Sequence, residues 1–272
     1  MVVLGIDAAW TENHPSGVCL IRTIEDNSCE VIRASSSYSS FISNCNNVEV
    51  KPVGSKLVIG EIIGALKSFE FDCIAIDMPL SNELITGRRS SEGKISKYYG
   101  AKGAATHSPN SIRPGKLALD IVIEARELGY TLSLVGEESY GKSLIEVYPH
   151  ASIIEYLDLD YRYMYKVSKK NKYNEWKDLK PEVRDDLLKT QLNKLIIYLK
   201  TRLINIDEFL PLLDLNKKYT GWQLKEYEDI IDSSFCALTG VDYMNRRTIG
   251  YGGLDGTIWV PDKRKIFDEI SE

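Results

Sequence analysis

Short apolar runs punctuate the chain, and three of them end in an acid. Residues 2–7 (VVLGID), 72–77 (DCIAID) and 143–150 (SLIEVYPH) are apolar runs of strand length, as expected of strands buried on both faces. In the second, Pro79 follows the acid and stops the ladder, because it has no N–H to donate. Residues 18–25 and 29–36 are rich in β-formers and joined by a short Asp-Asn-Ser turn, which predicts a hairpin. The chain therefore opens with three strands in an antiparallel meander. Apolar positions 58, 59, 62, 63 and 66 keep helical spacing and predict a helix over 55–69. Further helices are expected over 116–129, closed by Gly129, from about Pro181 to Arg202, and over 222–241, closed by Gly240. Residues 256–261 (GTIWVP) predict a short edge strand, and 81–115 keep no period and predict a long loop.

This order gives an α/β protein with strands one, four and five adjacent and parallel in the middle of a mixed sheet. No internal repeat and no clear linker divides it. The expectation is one domain over residues 1–272, with insertions at about 81–115 and 158–215.

Composition narrows the class. Five cysteines (19, 29, 45, 73 and 236), odd in number and without a C-x-x-C pair, suit reduced thiols better than a disulfide framework. No apolar stretch is long enough to cross a bilayer. The start lacks a basic region ahead of its apolar run, so no signal peptide is expected and the location implied is cytoplasmic. The net charge of −5 conceals an asymmetry: residues 162–202 carry twelve Lys and Arg against five acids. Between 88 and 116 seven basic residues meet the single acid Glu92. Two basic segments on an acidic body suit a polyanionic partner.

The acids form a candidate constellation. Asp7, Asp77 and Glu146 each lie at or near the end of a central strand, and Asp229 and Asp232 are three apart on a helix, so they share a side. Singly, a strand-end aspartate reads as a cap or turn residue, and a helical Asp-x-x-Asp as solvated surface. Together, carboxylates converging on one spot repel each other unless cations hold them. Mg²⁺ or Mn²⁺ prefer such all-oxygen sites, and two ions can support in-line displacement at a phosphodiester.

The segments GIDAAW, AIDMPL, EVYPHAS, EDIIDSSFCALTG and GTIWVP together resemble the domain-of-unknown-function 429 family, described as predicted nucleases of the RNase H-like superfamily. The resemblance spans nearly the whole chain. It implies a five-stranded mixed sheet of order 3-2-1-4-5 with helices on both faces. It also implies metal-holding acids at Asp7, Asp77, Asp229 and Asp232, with Glu146 in the family's strand-five segment. The Arg-rich stretch after strand four corresponds loosely to residues 87–92, which contain Arg88 and Arg89.

The favoured expectation is a metal-dependent nuclease or phosphodiesterase. Asp7 and Asp77 would bridge or flank Mg²⁺ or Mn²⁺, completed by Asp232 and Asp229, with Glu146 nearby. Arg88, Arg89, Lys102 and Arg113 are the candidates for gripping a nucleic acid or nucleotide. Arg113 stands at the start of a helix, where a phosphate is well placed. His14, close in sequence to Asp7, reads first as a turn residue and second as a candidate for proton transfer. Tyr98, Tyr99 and His107 read equally as a basic loop without a partner and as candidates for base stacking. Lys142 in YGKS lacks the glycine spacing of a phosphate loop. The alternatives are an ATP-dependent phosphotransferase or a non-catalytic nucleotide-binding protein on the same fold.

Overall fold

The computed structural model describes residues 1–24, 28–45 and 50–268, so the turn expected at 26–28 falls largely outside the described residues. Strands β1 (Val2–Asp7), β2 (Gly17–Thr23) and β3 (Cys29–Ser35) form the expected antiparallel meander. After α1 (Tyr38–Ser43) and α2 (Ile59–Ala65), β4 (Cys73–Ile76) lies parallel to β1. Next come α3 (Ser90–Tyr99), α4 (Lys116–Glu127), the two-residue β5 (Thr131–Leu132) and β6 (Ser143–Val147), which is parallel to β4. The remainder comprises α5 (Pro149–Tyr156), α6 (Pro181–Lys200), β7 (Leu203–Ile204), α7 (Ile206–Phe209), α8 (Gly221–Met244), β8 (Thr248–Gly253), β9 (Gly256–Pro261) and α9 (Lys263–Asp268).

The sheet runs β7-β3-β2-β1-β4-β6-β9-β8, with β5 on β6, so the five strands read from the sequence are adjacent and in the expected order. The sheet is larger than expected, with nine strands. Residues 256–261 are not an edge strand: β9 lies between β6, parallel to it, and β8, antiparallel to it. The stretch 81–115 is not one long loop either. It contains α3, whose Ile95 and Tyr99 pack with Ile258 and Val260 of β9 in a small third core.

Strand side chains alternate between two larger cores. Val3, Cys73, Ala75, Ile145 and Val147 face a layer containing α5, α6 and α8. Leu4, Ile6, Ile74, Ile76 and Leu144 face α2 and α4. Both faces are therefore covered, which is why these runs are almost wholly apolar. Among the described residues no helix is long and apolar enough to cross a membrane, and the cysteines are free thiols, of which Cys45 alone is exposed.

Candidate active site

The site begins with two glycines. A Cβ on Gly5 would stand 2.2 Å from the Ser233 carbonyl oxygen and 2.4 Å from the Ala237 nitrogen. One on Gly17 would stand 1.9 Å from the carbonyl oxygen of Asp229. No side chain fits in either place, so the backbone of α8 rests directly on β1 and β2. That contact sets Asp229 and Asp232 against the end of β1, where Asp7 lies. The Asp77 N–H donates to the Ile6 carbonyl (2.8 Å), so the chain after β4 stays beside β1 as both strands end in acids.

Asp7 and Asp77 follow the parity of Val3 and Ala75, on the face that α8 covers. Glu146 does not join them. It pairs in register with Ile76, whose side chain packs on the opposite face. There it meets Arg89, whose Nη1 and Nη2 donate to its two carboxylate oxygens at 2.8 and 2.7 Å. Arg89 also binds Glu92 and donates to the Leu80 carbonyl at 2.6 Å, and the Leu80 N–H donates back to Glu146 at 2.8 Å. This buried knot ties the chain after β4 to β6. It occupies both Glu146, expected near the metals, and Arg89, expected on the substrate. Burial pushes the Glu146 carboxyl up to about 7 against the pull of Arg89.

On α8 the acids number three, since Glu228 joins Asp229 and Asp232, and all are at most 2% exposed. Two lysines answer them. Lys166 is ion-paired with Asp232 and with Glu228 (3.2 Å), and Lys225 with Asp229 and with Glu228 (2.8 Å). The Tyr165 hydroxyl donates to Asp232, and the Val167 N–H to Glu228 at 2.7 Å. Burial opposes ionisation of Glu228, but Lys166 and Lys225 overcome it and hold the carboxyl at about 2. Burial raises Asp232 to about 6 despite Lys166. It also raises Asp229 and Asp77, to which the Asp7 charge adds in each case. Among the described residues, Asp7 and Asp77 have no side-chain hydrogen bond or ion pair, and Asp229 Oδ2 is buried without a partner. Five carboxylates thus face two ammonium groups.

Two cavities flank this row. One of about 260 Å³ is lined by Asp7, His14, Trp222, Lys225 and Asp229. Another of about 320 Å³ is lined by Asp77, Tyr148, His150, Arg162 and Lys169. The remaining basic candidates lie elsewhere. Arg88 is exposed and donates to Ser96 Oγ (2.8 Å) beside a separate cleft of about 540 Å³. Lys102 Nζ donates to the Leu159 carbonyl (3.2 Å), and Arg113 is exposed at the start of α4, lining none of these clefts. Tyr98 and Tyr99 pack edge-on against Tyr251 of β8; Tyr99 is buried and not free to stack on a base, whereas Tyr98 is 57% exposed.

The sequence reading missed Glu228, Lys225, Lys166, Arg162 and His150. Lys225, Glu228, Asp229 and Asp232 fall at i, i+3, i+4 and i+7, one helical face legible in KEYEDIID. Lys166 comes from a stretch without period and gives no such signal.

The carboxylate oxygens form the hard donor set that Mg²⁺ and Mn²⁺ favour. As placed, no three His, Cys, Asp or Glu side chains among the described residues stand ready to hold one ion. Asp232 and Glu228 are instead engaged by Lys166. The family described as a protein of unknown function, DUF429, matches residues 5–248, and the chain belongs to that family. Comparison with curated proteins and with solved structures gave no match.

Proposed function

We propose that this DUF429 member has an RNase H-like fold and is a metal-dependent phosphodiesterase acting on nucleic acid or nucleotides. The observation that carries the reading is the uncompensated charge: five carboxylates against two lysines, with Asp229 Oδ2 buried without a partner and Asp7 and Asp77 without a side-chain pair among the described residues. Buried negative charge of this kind needs a cation or protons. The central strand order β3-β2-β1-β4-β6 supports the fold assignment.

Asp7, Asp77, Asp232 and Asp229 would hold one or two Mg²⁺ or Mn²⁺ ions, with Lys166 giving up Asp232 as an ion enters. Bound there, a divalent ion supplies an activated water and screens the charge of the phosphodiester. The protein's part is to fix the acids, which it does by seating α8 on Gly5 and Gly17. Glu146 and Arg89 have a positioning role, since their knot holds the segment that carries Asp77.

The pairs made by Lys166 and Lys225 favour a second reading, a nucleotide-binding protein without turnover. Calorimetric titration with Mn²⁺ tests the metal site. The wild-type chain is expected to bind the ion and Asp7→Asn/Asp77→Asn to lose binding. Equal binding by both would remove the assignment.

A further inference from the structure

The cavity of about 320 Å³ joins two kinds of group rarely left open together. Asp77, which has no partner among the described residues, lines it. Arg162 and Lys169 line it too, and neither has a carboxylate partner among the described residues. His150 on the same wall is buried, 8% exposed. Arg162 Nη2 donates to His150 Nε2, so the ring proton sits on Nδ1. That Nδ1 is buried and unpartnered, as are Arg162 Nε and Thr106 Oγ1 at the same cavity. Burial, together with the charges of Lys166, Arg162 and Lys169, keeps the imidazole neutral and a donor. Unpaired donors gathered around a cavity are costly unless a ligand accepts from them. A phosphate offers such oxygens and suits Arg in particular.

The rest of the wall is mixed: Glu92 and Glu146, both paired with Arg89, and His107 line it beside apolar groups and two aromatic rings. Trp10 and Tyr148 are half-buried, and Tyr148 stands edge-on to His150 with ring centres 5.5 Å apart. The volume falls at the low end of ligand sites, roughly 300–1,000 Å³. It has room for one unit of a strand and not for a duplex.

We propose that this cavity is the subsite for a single nucleotide unit, its phosphate held by Arg162, Lys169 and His150 and its base lying against Tyr148 and Trp10. The inference rests on the phosphodiesterase reading and specifies its substrate: an unpaired strand end or a free nucleotide, its phosphate lying in the cavity that Asp77 also lines.

The test is calorimetry on the full chain in chelator, with three probes: a 5′-nucleoside monophosphate, a short single-stranded oligonucleotide and inorganic phosphate. Binding of the monophosphate identifies a free nucleotide as sufficient, whereas binding of the oligonucleotide alone identifies a strand end. Either result is expected to weaken about tenfold or more in Arg162→Gln/Lys169→Gln. Tyr148→Ala is expected to weaken the nucleotide probes and leave inorganic phosphate unchanged. Melting curves check that each variant is folded, and Lys169→Gln alone provides a milder change with the same direction. No binding of either nucleotide probe, or equal binding by the folded double variant, overturns the inference. Mn²⁺-dependent cleavage by wild type without nucleotide binding overturns this inference alone. Nucleotide binding without cleavage overturns the enzymatic reading alone.

Discussion

Lys166 is ion-paired with Asp232, 66 residues further along the chain, at the point where α8 reaches the strand ends. Its side chain is half-buried, and although burial opposes its charge, Asp232 and Glu228 raise its pKa well above the ordinary lysine value. The lysine thus acts as an internal counter-ion for an acid expected to hold metal. Replacing it separates the two cations. Lys166→Met is expected to lose about 3–5 kcal/mol of stability in chelator, the usual cost of leaving a buried charge unpaired. Most of that loss is expected to return in Mn²⁺, giving the variant a larger melting-temperature gain from the ion than wild type. Equal gains in the two proteins would show that the lysine and the ion do not share the acids.

The Arg89–Glu146 pair makes a different prediction, because it faces away from α8. Arg89→Leu or Glu146→Leu alone is expected to cost about 3–5 kcal/mol in urea unfolding, and the double replacement less than the sum. Mn²⁺ is expected to rescue neither. Rescue of Glu146→Leu by the ion would return Glu146 to the metal site.

The buried acids also fix a pH dependence. Glu146 is raised to about 7, and Asp232 and Glu226 to about 6. Between about pH 4.5 and 7 the folded chain keeps protons on these groups that the unfolded chain has released, so stability falls as pH rises through that window. Two groups work in the opposite sense. Glu228, held at about 2, does so only below about pH 4.5. His150, kept neutral in the fold, does so up to the ordinary imidazole value, where the raised carboxyls outnumber it. In chelator the melting temperature is therefore expected to be higher near pH 5 than near pH 7, by about 1–3 kcal/mol in stability. A melting temperature that rises from pH 5 to pH 7 would contradict the burial of uncompensated carboxylates.

Much of this was legible in the chain. VVLGID and CIAID announce central strands because both faces are buried, and the acids that end them are conspicuous against so much apolar sequence. The side on which Glu146 points was not legible. Parity within SLIEV shows only that Glu146 opposes Ile145 and Val147, and the face is settled by its pairing with Ile76. α3 escaped notice because SSEGKISKYY is largely polar, with Ile95 and Tyr99 its buried hydrophobic residues. β8 escaped because TIGYGG is a half-buried edge strand containing three glycines. The basic stretch 162–202 read as a surface for a polyanion. Yet Lys166 and Lys170 are ion-paired within the protein, and Lys189 is held by the carbonyl of Leu215, pairings that only tertiary packing decides.

The central claim is that Asp7 and Asp77 hold a divalent ion that hydrolyses a phosphodiester. The most direct measurement is cleavage of a labelled single-stranded oligonucleotide in Mn²⁺ by wild type and by Asp7→Asn/Asp77→Asn, with chelator as the control. The account predicts cleavage by wild type in Mn²⁺ alone, and none by the folded double variant. Cleavage by the double variant at the wild-type rate, or a wild type that binds Mn²⁺ and cuts nothing, would contradict it.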